Sequence, residues 1–190
     1  MSKKDQFQAP DYYSLDALLT DEHLLIRKTI RDFVKKEISP IIEEVCQTCI
    51  FPKGLLPKLA SLGCFGPFIP TNYGGAELDQ ISYGLIMQEL ERGDSGIRST
   101  ASVQSSLVMF PIFQYGTDEQ KDRYLSKLAS GDLMGCFGLT EPNHGSNPGG
   151  MESKFIDQGD YFLLNGAKLW ISNSPFADLA VVWAKNENNR

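Results

Sequence analysis

The sequence predicts an α+β chain with its helices first. Residues 1–131 read as an N-terminal all-α helical domain. Residues 132–190 read as the start of an antiparallel β-sandwich or barrel domain. Two observations carry this. Up to Gly131, apolar residues recur at helical spacing between capping and stop signals. From Leu133 the pattern changes to short runs rich in aromatic and branched residues, separated by the turn formers Gln158-Gly159-Asp160 and Asn165-Gly166.

The elements follow in order. Residues before Leu19 are polar with scattered aromatics and are expected to fray, with Tyr12, Tyr13 and Leu15 docking on the body. Thr20 suits a helix N-cap, and Asp21 and Glu22 suit the positive end of the helix dipole. Leu24, Leu25, Ile30, Phe33, Val34 and Ile38 continue that helix, and Pro40 should kink or restart it before Ile41, Ile42 and Val45. A short helix after Pro52 carries Leu55, Leu56, Leu59 and Leu62 and stops at Gly63. After a Gly- and Pro-rich loop, Asp79 caps a helix with Ile81, Leu85, Ile86 and Leu90 on one face, broken at Gly93-Asp94. Residues 95–115 make a helix of mostly small residues, fit for close packing. Thr117 to Gln120 has capping-box spacing and opens a helix that buries Tyr124, Leu125 and Leu128 before Gly131. Strands are predicted at Leu133–Thr140, Ser153–Asp157, Tyr161–Asn165, Lys168–Asn173 and Leu179–Lys185. No internal repeat of 20 to 50 residues is visible.

Composition narrows the function classes. Hydrophobic content of 42% and charged content of 22% are those of an ordinary globular protein with a real core. A net charge of −6 argues against nucleic acid and against anionic membrane surfaces, but leaves room for an anionic cofactor held by local N–H groups. No apolar run approaches the roughly 18 to 20 residues of a membrane span, and the first residues carry no signal core, so a cytoplasmic location is expected. The 4 cysteines read as reduced thiols. Cys46 and Cys49 have metal-like or redox-like spacing, but no second ligand pair follows and the pair sits at a helix end, so a structural role is expected. His23, in a first helical turn, is expected to be solvated, and His144 to face water from its loop.

The stretch from Cys136 to Pro148 stands between the helical and β parts. It joins an apolar run to hydroxyls, a carboxylate, two prolines and glycines. Such a loop is either a polar inter-domain turn or a place where main-chain N–H groups approach a flat or anionic ligand. Gly145, Gly149 and Gly150 lack both the Gly-Lys-Ser/Thr ending of a phosphate loop and a dinucleotide-binding strand–Gly–helix unit. Trp170 alone reads as strand packing, and Arg98, on a helix of small residues, as an internal ion pair.

Phe137 to Pro142 resembles the flavin-contacting motif of the acyl-CoA dehydrogenases. Arg98-Ser99, Ser102 to Met109 and Trp170 to Pro175 resemble the glutaryl-CoA dehydrogenase branch, and the resemblance runs from about Asp11 to Lys185. It implies FAD as cofactor, contacted by Phe137, Gly138, Leu139, Thr140, Glu141, Pro142, Asn143, His144, Gly145 and Ser146, with Ser146 also at the CoA substrate. It makes Trp170, Ile171 and Ser172 a second flavin segment, with the Ser172 hydroxyl at flavin N5, where the family usually has Thr. It turns Arg98 and Ser99 toward the acyl pocket, where a guanidinium can clamp the distal carboxylate of glutaryl-CoA. His144 and Asn147 stand where the family commonly has Ser and Asp.

The reaction so implied is α,β-dehydrogenation, followed for a glutaryl substrate by loss of CO₂ to give crotonyl-CoA, with electrons passing to an electron-transfer flavoprotein. The family's base is a Glu in a C-terminal helical domain that also completes the FAD site and the tetramer interface. No acid here matches it, so no catalytic residue is assigned, and neither Glu141 nor Glu152 is given that role. The chain is accordingly expected to be an N-terminal half, inactive by itself, with the C-terminal helical domain absent. The competing expectations are a non-catalytic helical interaction module and one half of a split flavoprotein.

Overall fold

A computed structural model describes residues 11–186 of the chain. Helix α1 (Asp21–Phe33) opens at Thr20, whose hydroxyl accepts the His23 N–H, and continues through a π-helical turn, Val34–Ile38. Beyond Pro40 the chain restarts as α2 (Ile42–Thr48), then forms α3 (Leu56–Ser61), which ends before Gly63 at φ 71°. Helix α4 (Gln80–Gly93) is capped by the Asp79 carboxylate, and α5 (Ser95–Ser102) by that of Asp94. Helix α5 passes through a second π-helical stretch, Val103–Met109, into α6 (Phe110–Tyr115). Helix α7 (Asp118–Ser130) has the full Thr117/Gln120 capping box and a left-handed Gly131 at its end. The core sits among α1, α3, α4, α5, the second π-helical stretch and α7, around Leu59, Phe65, Ile86, Leu90, Ile97, Met109, Leu125 and Leu128. Glu89 is buried there too, its carboxylate accepting two hydrogen bonds from the Arg31 guanidinium at 2.7 and 2.9 Å.

The β part comprises β1 (Gly135–Gly138), β2 (Lys154–Asp157), β3 (Phe162–Asn165) and β4 (Leu179–Val182). Strands β2 and β3 form an antiparallel hairpin, pairing Phe155 with Leu164. Strands β1 and β4 pair in parallel, Gly135 opposite Leu179 and Gly138 opposite Val182. The antiparallel expectation therefore applies to the hairpin and fails for this pair. Parallel neighbours need a long crossover, and residues 139–178, with the hairpin inside them, supply it. Strand β1 lies directly on the second π-helical stretch, because a Cβ on Gly135 would come 2.4 Å from Val108 Cγ1.

Buried Gln104 fixes this docking. Its amide group donates to the carbonyls of Leu128 and Leu133, both at 2.9 Å, and its Oε1 accepts the Gly135 N–H at 2.9 Å. One side chain thus ties the helix to the end of α7 and to the first residue of the sheet.

Several expectations are corrected. Residues 168–173 are not a strand, since Trp170 and Asn173 have φ of 60° and 68°, which no ladder accommodates. His23 is buried rather than solvated: its Nδ1 accepts the Thr20 N–H, so Nε2 carries the proton and donates to Asp79 at 2.9 Å. Tyr12 and Tyr13 are each 86% exposed and do not dock. Ile81 faces solvent, and α4 turns Ser82, Ile86, Glu89 and Leu90 inward. Cys46 and Cys49 are exposed free thiols outside the core, whereas Cys64 and Cys136 are buried. Among the described residues no cluster of His, Cys, Asp and Glu fits a metal, and no helix is long and apolar enough to cross a membrane.

Candidate functional site

The segment after β1 and the segment before β4 meet over the second π-helical stretch. They enclose a cleft of about 310 Å³ lined by Val103, Leu107, Phe137, Leu139, Thr140, Trp170, Ile171 and Ser172. Two stretches separated by some thirty residues of sequence, each expected to touch the same ligand, thus share one cavity.

Each wall has a local cause. The π-helical turn places Val103 and Leu107 on the cleft, a common use of such irregular turns. Phe137 is anchored edge-on against Trp183, with ring centroids 6.0 Å apart. The opposite wall turns sharply at Trp170 and Asn173. Buried Asn173 docks that turn by donating from Nδ2 to the Gly135 carbonyl at 3.2 Å and the Thr100 carbonyl at 3.5 Å. The turn leaves Trp170 84% exposed, so it is not the strand-packing residue its sequence context suggests. The lining is mostly apolar, and the side chains of Thr140 and Ser172 are its two hydroxyls.

Glu141 does not line the cleft. Its side chain is buried, and its carboxylate accepts the backbone N–H groups of Glu152 and Ser153, the latter at 2.9 Å, and the Lys168 ammonium at 2.8 Å. Burial alone would raise its pKa, but the Lys168 bond and the Ser153 and Glu152 donors outweigh it and hold it well below the usual carboxylate range. A carboxylate so saturated is a poor proton acceptor.

The turn from Glu141 to His144 closes on reciprocal backbone bonds of 3.2 Å. Pro142 and Asn143 within the turn and Gly145 and Ser146 beyond it are exposed, and neither they, Gly138 nor His144 line the cleft. His144 is only partly exposed, 3.5 Å from Glu152 and packed so closely on Gly150 that a Cβ there would lie 2.5 Å from its Nδ1. Arg98 is not buried. Its Nε donates to Glu91 and its Nη1 to Ser102 Oγ at 3.3 Å, while Glu91 also accepts from Ser95. Half-buried Ser99 lies one helical turn before Val103, and neither it nor Arg98 lines the cleft.

Sequence reasoning left out Val103 and Leu107 as lining residues, and Gln104, Lys168 and Asn173 as supports. A lysine inside an otherwise apolar run, as at 168, was the one local signal of a buried ionic partner.

The comparisons with known proteins fall on this framework. The profile "Acyl-CoA dehydrogenase, N-terminal domain" matches residues 20–132, and "Acyl-CoA dehydrogenase, middle domain" matches residues 136–190. The chain belongs to the acyl-CoA dehydrogenase family. It is 42% identical over 174 residues to the probable acyl-CoA dehydrogenase YngJ of Bacillus subtilis, covering 90% of this chain and 45% of that protein. It superposes with a TM-score of 0.90 and 44% identity on a glutaryl-CoA dehydrogenase from Mycobacterium smegmatis solved in complex with FADH2, covering 92% of this chain and 45% of that one. A structure described as the electron transferring flavoprotein of Acidaminococcus fermentans gives a TM-score of 0.85 at 36% identity, over 90% of this chain and 45% of that one. The chain therefore spans about 45% of the length of the relatives it matches.

Proposed function

We propose that the chain is the N-terminal part of an FAD-dependent acyl-CoA dehydrogenase. The whole enzyme would oxidatively decarboxylate glutaryl-CoA to crotonyl-CoA as a cytoplasmic homotetramer and pass electrons to an electron-transfer flavoprotein. One observation carries the reading: both segments expected to contact the flavin wall the same cleft, with apolar faces and hydroxyl donors in one cavity. The donor set fits the group. A flat ring system with a carbonyl-rich edge asks for apolar faces and N–H or O–H donors in one plane, and Phe137, Leu139, Trp170, Thr140 and Ser172 supply those chemistries.

FAD, when bound, supplies the hydride-accepting chemistry. The chain's own residues bind and orient. Val103, Leu107, Phe137, Leu139 and Trp170 would hold the ring's apolar faces, and the Thr140 and Ser172 hydroxyls would be available as donors to its heteroatoms. Ser146, on the exposed turn, is the residue assigned to the CoA portion.

Arg98 and Ser99 are assigned to the distal end of the acyl group. Arg98 is paired with Glu91, so a substrate carboxylate must compete for the same guanidinium, which a dicarboxylic acyl group can do and a fatty tail cannot. The proton-abstracting base is assigned to no residue of the chain, so the 190 residues alone are expected to be inactive. Similarity to the M. smegmatis enzyme supports the substrate, and the A. fermentans structure the electron acceptor.

The test is a chimera in which the chain replaces the matching N-terminal part of the M. smegmatis enzyme. It should oxidise glutaryl-CoA with release of CO₂, and Arg98→Ala should lose preference for glutaryl-CoA over butyryl-CoA. A chimera that folds and retains flavin but prefers butyryl-CoA would refute the substrate assignment.

A further inference from the structure

Lys168 has no part in the reading above, yet from two residues before Trp170 it reaches across to Leu139 on the other wall of the cleft. Its stem runs across Gly138, with Cγ 3.6 Å from where a Cβ on that glycine would stand. Its ammonium donates to the Leu139 carbonyl at 3.0 Å and to the Glu141 carboxylate at 2.8 Å. One residue on, the Leu169 N–H donates to the Thr140 carbonyl at 2.9 Å. The Leu139 and Thr140 carbonyls are therefore both occupied by the 168–169 segment, which also holds the Glu141 carboxylate beside them. The N–H groups of Leu139 and Thr140, by contrast, donate to no protein acceptor among the described residues.

We propose that Lys168 is a positioning residue that turns the acceptors of the 139–141 segment away from the cleft, so that this wall presents its N–H and hydroxyl donors to a flat ligand with an acceptor-bearing edge. The inference rests on the flavin reading of the cleft and goes beyond it by naming the residue that sets the wall's polarity. Without Lys168 the Leu139 carbonyl and the Glu141 carboxylate lose their shared donor. A freed carbonyl or a carboxylate turned toward the cleft would repel a ligand edge that is itself made of acceptors. Lys168 also couples the walls mechanically, since the residue that withdraws the Leu139 carbonyl is the second before Trp170.

The experiment uses the 190-residue chain and lumiflavin, the isoalloxazine ring alone, titrated at up to millimolar concentration. Binding is followed by amide chemical shifts at Leu139, Thr140 and Ser172, and unfolding temperature is measured in parallel. Lys168→Met should weaken lumiflavin binding at least tenfold. Lys168→Arg, which keeps charge and donors, should stay within about threefold of the parent. The double variant Glu141→Gln with Lys168→Met removes both charges and should recover most of the unfolding temperature. It should nevertheless remain tenfold weaker for lumiflavin, because the Leu139 carbonyl still lacks its donor. Recovery of parent affinity in the double variant, or parent affinity in Lys168→Met, would overturn the proposal while leaving the flavin reading intact. A parent chain with no lumiflavin-dependent shifts would overturn the flavin reading and the proposal with it.

Discussion

Replacing Gln104 by Leu should be among the most damaging single changes that barely alter side-chain volume. Gln104 is fully buried and makes three hydrogen bonds, to the carbonyls of Leu128 and Leu133 and from the N–H of Gly135. The Leu128 carbonyl keeps a second donor, the Gly131 N–H at 3.3 Å, so its loss is partial. Among the described residues the Leu133 carbonyl and the Gly135 N–H have no other partner, so both are left unsatisfied. At about 1–3 kcal/mol for each of the two orphans, Gln104→Leu should cost about 2–6 kcal/mol. At about 2–4 °C per kcal/mol for a chain of this size, that is a fall of roughly 4–24 °C in unfolding temperature. Urea denaturation followed by circular dichroism, with Ser106→Ala as a control on the same helix, gives the difference directly. A Gln104→Leu chain within about 0.5 kcal/mol of the parent, the range of an ordinary surface change, would refute the reasoning.

Three further outcomes follow from the same structure. Glu89→Ala removes a fully buried carboxylate that accepts two bonds from Arg31, and should cost about 3–5 kcal/mol in the same denaturation assay. Gly135→Ala drives a methyl to 2.4 Å from Val108 Cγ1 and should cost about 1–3 kcal/mol; loss of the Leu139 and Thr140 amide shifts' parent pattern would report the displaced strand. The Asp79 carboxyl is held at about 2 by the Ser82 N–H first and His23 next, below its unfolded value of 3.8. Its stabilising effect is therefore present above about pH 4 and lost as pH falls toward 2. Asp79→Asn should flatten the part of the acid-unfolding curve that lies in that window.

What was legible in the sequence was mostly local. Thr20, Asp79 and Thr117 announce helix starts because their side chains accept bonds from N–H groups three residues ahead. Gly63 and Gly131 announce stops because the backbone there is left-handed. The candidate cleft was legible only through the resemblance, in Phe137, Leu139, Thr140, Trp170, Ile171 and Ser172. Non-local chemistry escaped. Residues 168–173 have strand-like composition, yet Asn173 bonds to carbonyls of Gly135 and Thr100, far off in sequence, and those contacts hold the turn. The parallel partner of β1 lies across a forty-residue crossover that no local pattern encodes. His23 looked solvated because its partner Asp79 is 56 residues away, and Gln104 shows nothing of its role until its acceptors are placed.

The most direct test of the central claim is an amide-shift map of the 190-residue chain titrated with FAD. The cleft reading predicts weak binding with shifts concentrated at Leu139, Thr140, Trp170 and Ser172, and smaller ones at Val103 and Leu107. Shifts confined to a different face of the molecule, or none at millimolar FAD, would contradict it.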